Sequence, residues 1–318
     1  MARARNRSVD FAWYLLVRLV VGLGQMLTIE QSYSLARLIA KIFHRLDKRH
    51  VEVGRENLRL AFGDEYTPQQ RDAIVFSVYE HFSKMLMEIL HIPRKLHPTT
   101  WRERITLVGH EAVLNRLMDG GPIIMLSGHF GNWEMAGYLF GVFGFPPNSV
   151  ARTLDNPYLD RYLRKFRERT GQYLIDKKEG YEEMLQVLQN GGILSFLADQ
   201  DAGQRGLYVD FFGRPASTHK AIALLAIEHQ APIVVGYARR IGPGFRYEVG
   251  CDQIIEPSEL TGTADDVRLL TQRYTNALEN IVRRDPAQYL WLHRRWKHQP
   301  KPRMKKGDQL RVDPPVEA

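Results

Sequence analysis

The sequence predicts an α/β fold in which helices flank a mixed sheet, preceded by an N-terminal membrane helix. From residue 122 onward, short apolar runs alternate with amphipathic runs, which is typical of strands and helices in α/β folds. Polar side chains directly follow two of these apolar runs, where open sheets hold their ligands. Near the start, residues 11–29 contain only two strongly polar side chains, as expected for a membrane helix.

Composition narrows the class of protein. A chain of 318 residues buries a sizeable core, and its apolar and charged fractions of 44% and 25% are ordinary for an enzyme. The formal net charge of +8 favours an acidic partner such as nucleic acid, anionic lipid or an acidic protein. Cys251 is the single cysteine, so no internal disulfide forms, which suits a reducing compartment. A clean cleavage site for a signal peptide is missing.

Residues 11–29 are interpreted as a membrane anchor. As a helix they extend about 28 Å, close to the thickness of the hydrocarbon core. Trp13 and Tyr14 lie near one end, where interfacial aromatic side chains occur. A central Arg18 is costly in lipid, which leaves a shallow or tilted helix as one alternative and a buried core helix as another. Both flanks are basic, so charge does not fix the topology.

A second N-terminal segment, residues 33–46, predicts an amphipathic helix with one apolar and one basic face. Such a helix lies on an anionic membrane surface, or packs on the protein as a solvated helix; the sequence leaves both open. Further helices are predicted over residues 51–60, 68–92 and 111–118, with a proline-containing connection over 93–100.

The remainder of the chain predicts alternating strands and helices. Strands are expected over residues 122–127, 148–152, 193–198, 232–240 and 245–255. Helices are expected after Asn132 and over residues 157–169, 181–189, 219–228 and 267–284.

The most informative motif is H-F-G-N-W-E at residues 129–134, between a predicted strand and a predicted helix. The strand end places the imidazole of His129 at the carboxyl edge of the sheet. On a continuous helix residues five apart point roughly 140° away from each other, so a loop at Gly131 is needed for Glu134 to reach the ring. A histidine oriented by a carboxylate is a general base for a hydroxyl.

The sequence also allows other interpretations of His129. A histidine with only structural hydrogen bonds is the common alternative. A metal site is disfavoured, because the His-x-x-x-His and Cys-x-x-Cys ligand spacings are missing from the sequence. The sequence also lacks a Gly-x-Ser-x-Gly nucleophile elbow, so the nucleophile is expected to belong to the substrate.

Further candidate site residues follow later in the chain. Asp199 and Asp201 come directly after a predicted strand and form a site rim or an Asx-capped turn. A set of basic side chains close to Asn156 offers bidentate phosphate binding, with an exposed charged helix face as the alternative. This set is Arg152, Arg164, Arg167 and Arg169.

Two other segments have a distinctive composition. The aromatic stretch over residues 210–218 either lines an acyl pocket or packs a loop. A basic run over residues 293–306, with Trp291 and Trp296 beside it, indicates an interfacial edge or a nucleic-acid patch. The chain then ends in a proline-containing tail that is expected to be disordered.

Together these motifs resemble the lipid A biosynthesis lauroyl/myristoyl acyltransferases, the late branch of the lysophospholipid acyltransferase superfamily. Five motifs carry the resemblance in the correct order, and it covers about residue 10 to 300. The motifs lie at residues 128–134, 156–160, 199–203, 211–216 and 288–296.

The resemblance implies a glycerolphosphate-acyltransferase-like fold with an anchor over residues 1–30, an acyltransferase domain over 31–299 and a tail over 300–318. His129 is implied as the general base and Glu134 as its partner. The substrate-binding residues implied or suggested are Arg152, Asn156, Arg164, Arg167, Arg169, Asp199 and Asp201.

The implied reaction is attack by the hydroxyl of a 3-hydroxyacyl chain, on a phosphorylated glucosamine disaccharide, at the thioester of an acyl-acyl carrier protein. The expected partners are that carrier protein, a glycolipid acceptor and the membrane, without nucleic acid. No cofactor or metal is implied, and the expected location is the cytoplasmic side of the cell inner membrane.

Three alternatives remain open: an acyltransferase using acyl-CoA on another glycolipid or a lysophospholipid, a basic binding protein without catalysis, and a hydrolase.

Overall fold

The N-terminal third of the chain is helical. The computed structural model describes residues 6–169, 171–260, 262–263 and 265–300, so the predicted tail lies almost wholly outside the described residues. The first four helices are α1 (Arg7–Met26), α2 (Ile29–Leu46), α3 (Lys48–Phe62) and α4 (Pro68–Lys95).

The rest of the chain alternates strands and helices, as the sequence predicts. Its first part contains β1 (Ile105–Val108), α5 (His110–Met118), β2 (Ile123–Ser127), α6 (Trp133–Val142), β3 (Asn148–Ala151), α7 (Pro157–Glu168), β4 (Tyr173–Asp176), α8 (Tyr181–Gln189) and β5 (Ile193–Leu197). Its second part contains β6 (Leu207–Phe211), β7 (Arg214–Thr218), α9 (Ala221–Glu228), β8 (Ile233–Arg240), β9 (Tyr247–Ile255) and α10 (Asp266–Arg284).

Seven strands form one mixed sheet in the order β1-β9-β8-β2-β5-β3-β4. Strand β2 is central and pairs in parallel with both β5 and β8. Strand β9 runs antiparallel to β8 and parallel to β1, so these two strands oppose the others. The mixed α/β class is therefore confirmed. The carboxyl ends of β2, β5 and β8 meet at one edge, where the predicted site residues follow.

Helices cover both faces of the sheet, which explains why β2 is a continuous apolar run. Alternate residues of a strand point to opposite faces. Ile124 and Leu126 join the large core formed with α3, α4, α8, α9 and α10. Ile123 and Met125 face the other side, where they pack near Val113 of α5.

The structure departs from the sequence expectations at three places. Helix α4 continues through Pro93 to Lys95, because a proline in the last turn removes only one helical hydrogen bond. Strands β1 and β4 were not predicted; each has four residues, too few for a clear periodic pattern.

The aromatic segment over residues 210–218, for which the sequence leaves both an acyl pocket and loop packing open, forms most of the β6–β7 hairpin. Its turn places Phe212 and Gly213 at φ 54° and 67°, the left-handed conformation of a tight hairpin turn. The rings of Phe211 and Phe212 are buried and pack against Trp296 and Trp291. This segment therefore packs the core; it does not line the cavity described below.

Helix α1 is the one helix within the described residues that is long and apolar enough to cross a membrane. Little of its surface is buried, and it packs against α4 and α7. Helix α2 lies antiparallel along α4: its Ser32 hydroxyl pairs with His91, while His44, near its end, lies beside Phe76.

Candidate active site

The loop that carries His129 is confined between strand β2 and helix α6. The side chain of Asn132 caps α6 by accepting a hydrogen bond of 3.0 Å from the backbone N–H of Met135. Gly131 has φ 60°, and a Cβ atom there would overlap the carbonyl oxygen of Ala238. Glycine is thus required by both backbone conformation and space, and the loop is held against β8.

The imidazole of His129 is oriented by Asp199. The ring Nδ1–H donates to Asp199 Oδ1 at 2.8 Å, and the backbone N–H of His129 donates to Oδ2, also at 2.8 Å. Asp199 is only 4% exposed. Because β5 is the neighbour of β2, the residue that follows β5 lies directly beside the residue that follows β2. With Nδ1 protonated, Nε2 is left as the acceptor nitrogen of the neutral ring.

The predicted contact between Glu134 and the His129 ring is wrong, because Asp199 occupies that place. Glu134 lies in the first turn of α6 and forms a two-point ion pair with the guanidinium of Arg167 from α7. Arg167 Nε donates to Glu134 Oε2 at 2.9 Å. Helix α6 starts at Trp133, so Glu134 is turned towards α7, whereas Asp199 sits on the adjacent strand end. Glu134 acts on the ring through its charge.

Burial and neighbouring carboxylates together set the protonation of His129. Burial alone would lower the pKa of His129, but the charge and hydrogen bond of Asp199, helped by the charge of Glu134, raise it above 6.5. Burial would raise the pKa of Asp199, yet the His129 ring and its backbone N–H lower it overall. The pair is therefore an ionised carboxylate holding an imidazole of increased basicity.

A buried polar network supports the loop from behind. The His81 ring donates from Nε2 to the carbonyl of Gly131 at 3.0 Å, and its Nδ1 accepts from Arg240 at 2.7 Å. Arg240 forms a bidentate pair with Glu88, which is fully buried. Burial and the charge of Arg240 hold the pKa of His81 well below its usual value, so this ring is neutral. Glu88 also accepts from Asn132 at 3.1 Å, which ties the network to α6.

The C-terminal motif at residues 288–296 contacts the His129 loop from the other side. Gly131 donates its N–H to the carbonyl of Gln288 at 3.0 Å, and Leu290 donates to the carbonyl of His129 at 3.0 Å. Burial, and then the charge of Asp199, raise the pKa of the Tyr289 phenol well above its usual value, so the phenol stays neutral. The motif at residues 288–296 therefore supports the loop from inside the fold.

An apolar cavity of about 730 Å³ begins beside the site and extends between the sheet and helices α5 and α6. Trp133, Glu134 and Arg167 contribute to its lining. The Trp133 ring packs edge-on against His129, with ring centres 5.0 Å apart. The volume falls within the range of about 300–1,000 Å³ that is usual for small-molecule sites. Its apolar walls are formed mainly by Leu107, Leu114, Met125, Leu139, Phe140, Phe143, Val234 and Cys251.

The other predicted site residues make internal bonds. Arg152 is exposed and pairs with Asp155, away from the cavity. Asn156 caps α7 by accepting from the N–H groups of Tyr158 and Leu159. Arg164 pairs with Asp160 at 2.7 Å. These contacts account for the residues structurally, and their proposed substrate contacts stay predictions.

Asp201 and Arg169 are the last two of the predicted site residues. Asp201 Oδ2 accepts from the His298 ring at 2.6 Å, while the Asp201 N–H donates to His293 Nε2 at 3.0 Å. Arg169 follows the end of α7 and is exposed. Within the described residues no cluster of three or more His, Cys, Asp or Glu side chains is arranged to hold a metal ion.

Comparisons with known proteins agree with the resemblance found in the sequence. A family model described as bacterial lipid A biosynthesis acyltransferase matches residues 3–298. The lipid A biosynthesis lauroyltransferase of Escherichia coli (strain K12) is 27% identical over 274 residues, which cover 84% of this chain and 86% of that protein. The lipid A biosynthesis myristoyltransferase of the same organism is 26% identical over 263 residues, covering 81% and 78%.

A relative with a different named substrate is also similar. The phosphatidylinositol mannoside acyltransferase of Mycobacterium tuberculosis (strain CDC 1551 / Oshkosh) is 24% identical over 234 residues, covering 71% of each chain.

Proposed function

The chain belongs to the bacterial lipid A biosynthesis acyltransferase family, and from that premise we propose the reaction that its site performs. The protein is a membrane-associated O-acyltransferase that moves a fatty acyl chain from acyl-acyl carrier protein to a hydroxyl of a lipid A precursor. The acceptor hydroxyl belongs to a 3-hydroxyacyl chain. The proposed location is the cytoplasmic side of the inner membrane.

The observation that carries this proposal is an Asp199–His129 pair beside an apolar cavity. The pair, linked at 2.8 Å, resembles the carboxylate–imidazole unit that activates hydroxyl nucleophiles in acyl transfer. The cavity of about 730 Å³ suits a hydrocarbon chain. The functional hydroxyl then comes from the acceptor.

The proposed mechanism follows from the orientation of the ring. His129 Nε2 removes the proton from the acceptor hydroxyl as its oxygen attacks the thioester carbonyl carbon. The Asp199 carboxylate stabilises the imidazolium that forms. Collapse of the tetrahedral intermediate breaks the C–S bond, and the imidazolium returns its proton to the leaving thiolate. An ester and a free thiol result, and the enzyme regains its starting state.

Glu134 and Arg167 have a separate proposed role at the mouth of the cavity. Their ion pair is largely buried and joins α6 to α7 beside His129. The charge of Glu134 helps raise the pKa of His129. The proposed donors to the developing oxyanion are N–H groups in the first turn of α6, which begins at Trp133. Arg167 keeps α6 in position through its ion pair with Glu134.

A second candidate is favoured by the mycobacterial relative. That relative is named a phosphatidylinositol mannoside acyltransferase, and phosphatidylinositol mannoside is a glycolipid other than lipid A. The alternative function is thus an acyltransferase acting on another glycolipid or a lysophospholipid, with acyl-CoA as donor. Both candidates use the same base, so the donor and acceptor distinguish them.

The test is acyl transfer in detergent with a matrix of donors and acceptors. Donors are acyl-acyl carrier protein and acyl-CoA; acceptors are a tetra-acylated lipid A precursor, phosphatidylinositol mannoside and a lysophospholipid. His129→Ala is compared with His97→Ala, an exposed histidine outside the site. Product that needs the carrier-protein donor, the lipid A precursor and His129 supports the proposal.

Other outcomes contradict parts of the proposed function. Preference for acyl-CoA and another acceptor favours the second candidate. Equal product from wild type and a folded His129→Ala protein excludes His129 as the base. Absence of transfer with every pair, by folded wild-type protein, favours a binding function without catalysis.

A further inference from the structure

Helix α1 has a broad apolar face that no other part of the described structure covers. Trp13 and Leu19 are 57% and 60% exposed, although both are large apolar side chains. Exposed apolar patches of this kind mark contact with a partner or a membrane. The face includes Val9, Trp13, Leu15, Leu16, Leu19, Val20, Leu23 and Met26.

The opposite face of α1 is fixed to the folded domain near both ends. Near its start, the Asn156 side chain donates to the carbonyl of Asp10 at 2.9 Å, in a buried position. Near its end, Arg94 donates to the carbonyl of Gln25 at 2.8 Å. Fifteen residues separate these points, so they lie roughly 22 Å apart along the helix.

Ring contacts continue this attachment between the two ends. Phe11 and Tyr14 pack against Tyr158 of α7, with ring centres 5.3 and 6.0 Å apart. The Arg18 guanidinium lies 5.1 Å from the centre of the Tyr162 ring and donates to the Tyr14 hydroxyl at 2.9 Å. The central arginine that is costly in lipid thus faces the protein.

This attachment is incompatible with a helix that crosses the bilayer. Six of the twelve residues of α7 are charged, and α7 lies alongside the first half of α1. If α1 crossed the membrane, α7 would enter the hydrocarbon with it, at a cost of several kcal/mol. A helix held along one side of a folded domain places its apolar face in one leaflet.

Helix α2 extends the same kind of surface. Phe43 and Leu46 are 54% and 73% exposed, within an apolar face that also includes Leu35, Leu38 and Ile42. Three basic side chains, Arg37, Lys41 and Arg45, are exposed on the adjacent face at helical spacing. Arg37 also lies 3.6 Å from Glu80. An apolar stripe beside basic side chains complements the anionic surface of a membrane.

We propose that α1 and α2 together form a lipid-docking surface that lies in one leaflet of an anionic membrane, with α1 parallel to the membrane plane and not across it. The proposal rests on the proposed function only in placing the protein at a membrane. Asn156, which both holds α1 and caps α7, joins this surface to the helix that supplies Arg167 to the cavity lining.

The depth of individual α1 residues in the membrane tests this in-plane orientation directly. Single cysteines are introduced at Val9, Leu16 and Leu23 of the exposed face, in the full chain carrying Cys251→Ser, and are labelled with an environment-sensitive fluorophore. The labelled proteins are placed in phosphatidylglycerol-containing vesicles with depth-graded quenching lipids. The matched control is Gln186→Cys, an exposed polar position of α8, which is not part of the proposed surface.

Each outcome of this experiment supports or contradicts the proposed in-plane orientation of α1. Equal shallow depth at all three α1 positions, with a solvated label at Gln186, supports the in-plane helix. Positions 9 and 23 are about 21 Å apart, so a spanning helix would place the Leu16 label roughly 10 Å deeper than both ends. That gradient, or labels that all remain in water, would overturn the proposal.

The attraction between the basic side chains of α2 and anionic lipid is tested with the triple variant R37Q/K41Q/R45Q. Each basic residue near an anionic surface contributes about fivefold in affinity, so vesicle binding should fall on the order of 100-fold. The control removes three exposed charges elsewhere, K220Q/R246Q/R268Q, and should bind as wild type. Equal weakening by both triples would sink the charge argument. Transfer in detergent is measured in parallel, so a failure of docking is distinguishable from a failure of the proposed chemistry.

Discussion

Replacement of Asp199 by asparagine isolates the proposed orienting role of the carboxylate. Asp199 accepts two hydrogen bonds of 2.8 Å, from the ring and from the backbone N–H of His129. An asparagine keeps the shape but can present its NH₂ to Nδ1. The ring then carries its proton on Nε2, where the base must be unprotonated. Loss of the correct tautomer costs about 10⁴-fold in a known carboxylate–imidazole catalyst, or about 5 kcal/mol of transition-state stabilisation.

The same change alters the pH dependence in a defined direction. Burial lowers the pKa of His129, whereas Asp199, the larger of its two carboxylate partners, raises it. In the wild type, kcat/KM should therefore rise with pH through a value above 6.5. Without the Asp199 charge, burial dominates, and the residual activity should rise at lower pH. The sign follows because the neutral ring is the base.

The assay is initial-rate acyl transfer from pH 5 to 9, with circular dichroism to verify folding. Asp155→Asn is the matched control, since that side chain is 71% exposed and lies outside the cavity. A folded Asp199→Asn protein that keeps more than a tenth of wild-type kcat/KM would refute the orienting role. An unchanged acidic limb would refute the proposed origin of the raised pKa.

Three further predictions concern the loop, its support and the cavity. Gly131→Ala should destabilise the fold by at least about 2 kcal/mol, because its Cβ overlaps the Ala238 carbonyl at positive φ; urea unfolding against wild type measures this, and an unchanged midpoint contradicts it. Glu88→Gln should cost about 3–5 kcal/mol in the same measurement, because Arg240 loses its buried counter-charge; a loss under about 1 kcal/mol would show that the pair is dispensable. Ala136→Phe fills part of the cavity lining and should favour shorter acyl donors, read by mass spectrometry of the products; an unchanged chain-length preference would place the acyl group elsewhere.

The sequence predicts the position of the site better than its connections. The apolar run that ends at Ser127 and the amphipathic run that follows Asn132 place His129 at a strand end, as observed. Asp199 follows another predicted strand, but only the pairing of β2 with β5 shows that it reaches the ring. Strand order depends on contacts between distant segments, which local periodicity does not contain.

The supporting network was beyond sequence reasoning for the same reason. Glu88 and Arg240 are 152 residues apart and meet only through tertiary packing. Asn156 lies in a short sequence motif, and the structure gives it two roles, as the cap of α7 and as the donor to the carbonyl of Asp10 in α1. A polar residue in a short motif does not by itself reveal whether its partner is a substrate or another helix.

The hydrogen bonds between the His129 loop and residues 288–290 form only late in the synthesis of the chain. A ribosome makes α1 and α2 first, at roughly 5–20 residues per second, so the lipid-docking helices leave the exit tunnel long before Gln288 and Leu290 exist. Until those residues emerge, Gly131 and the His129 carbonyl lack the partners that fix the loop. The N-terminal helices of a nascent chain are therefore complete well before the His129 loop gains the contacts that fix its geometry.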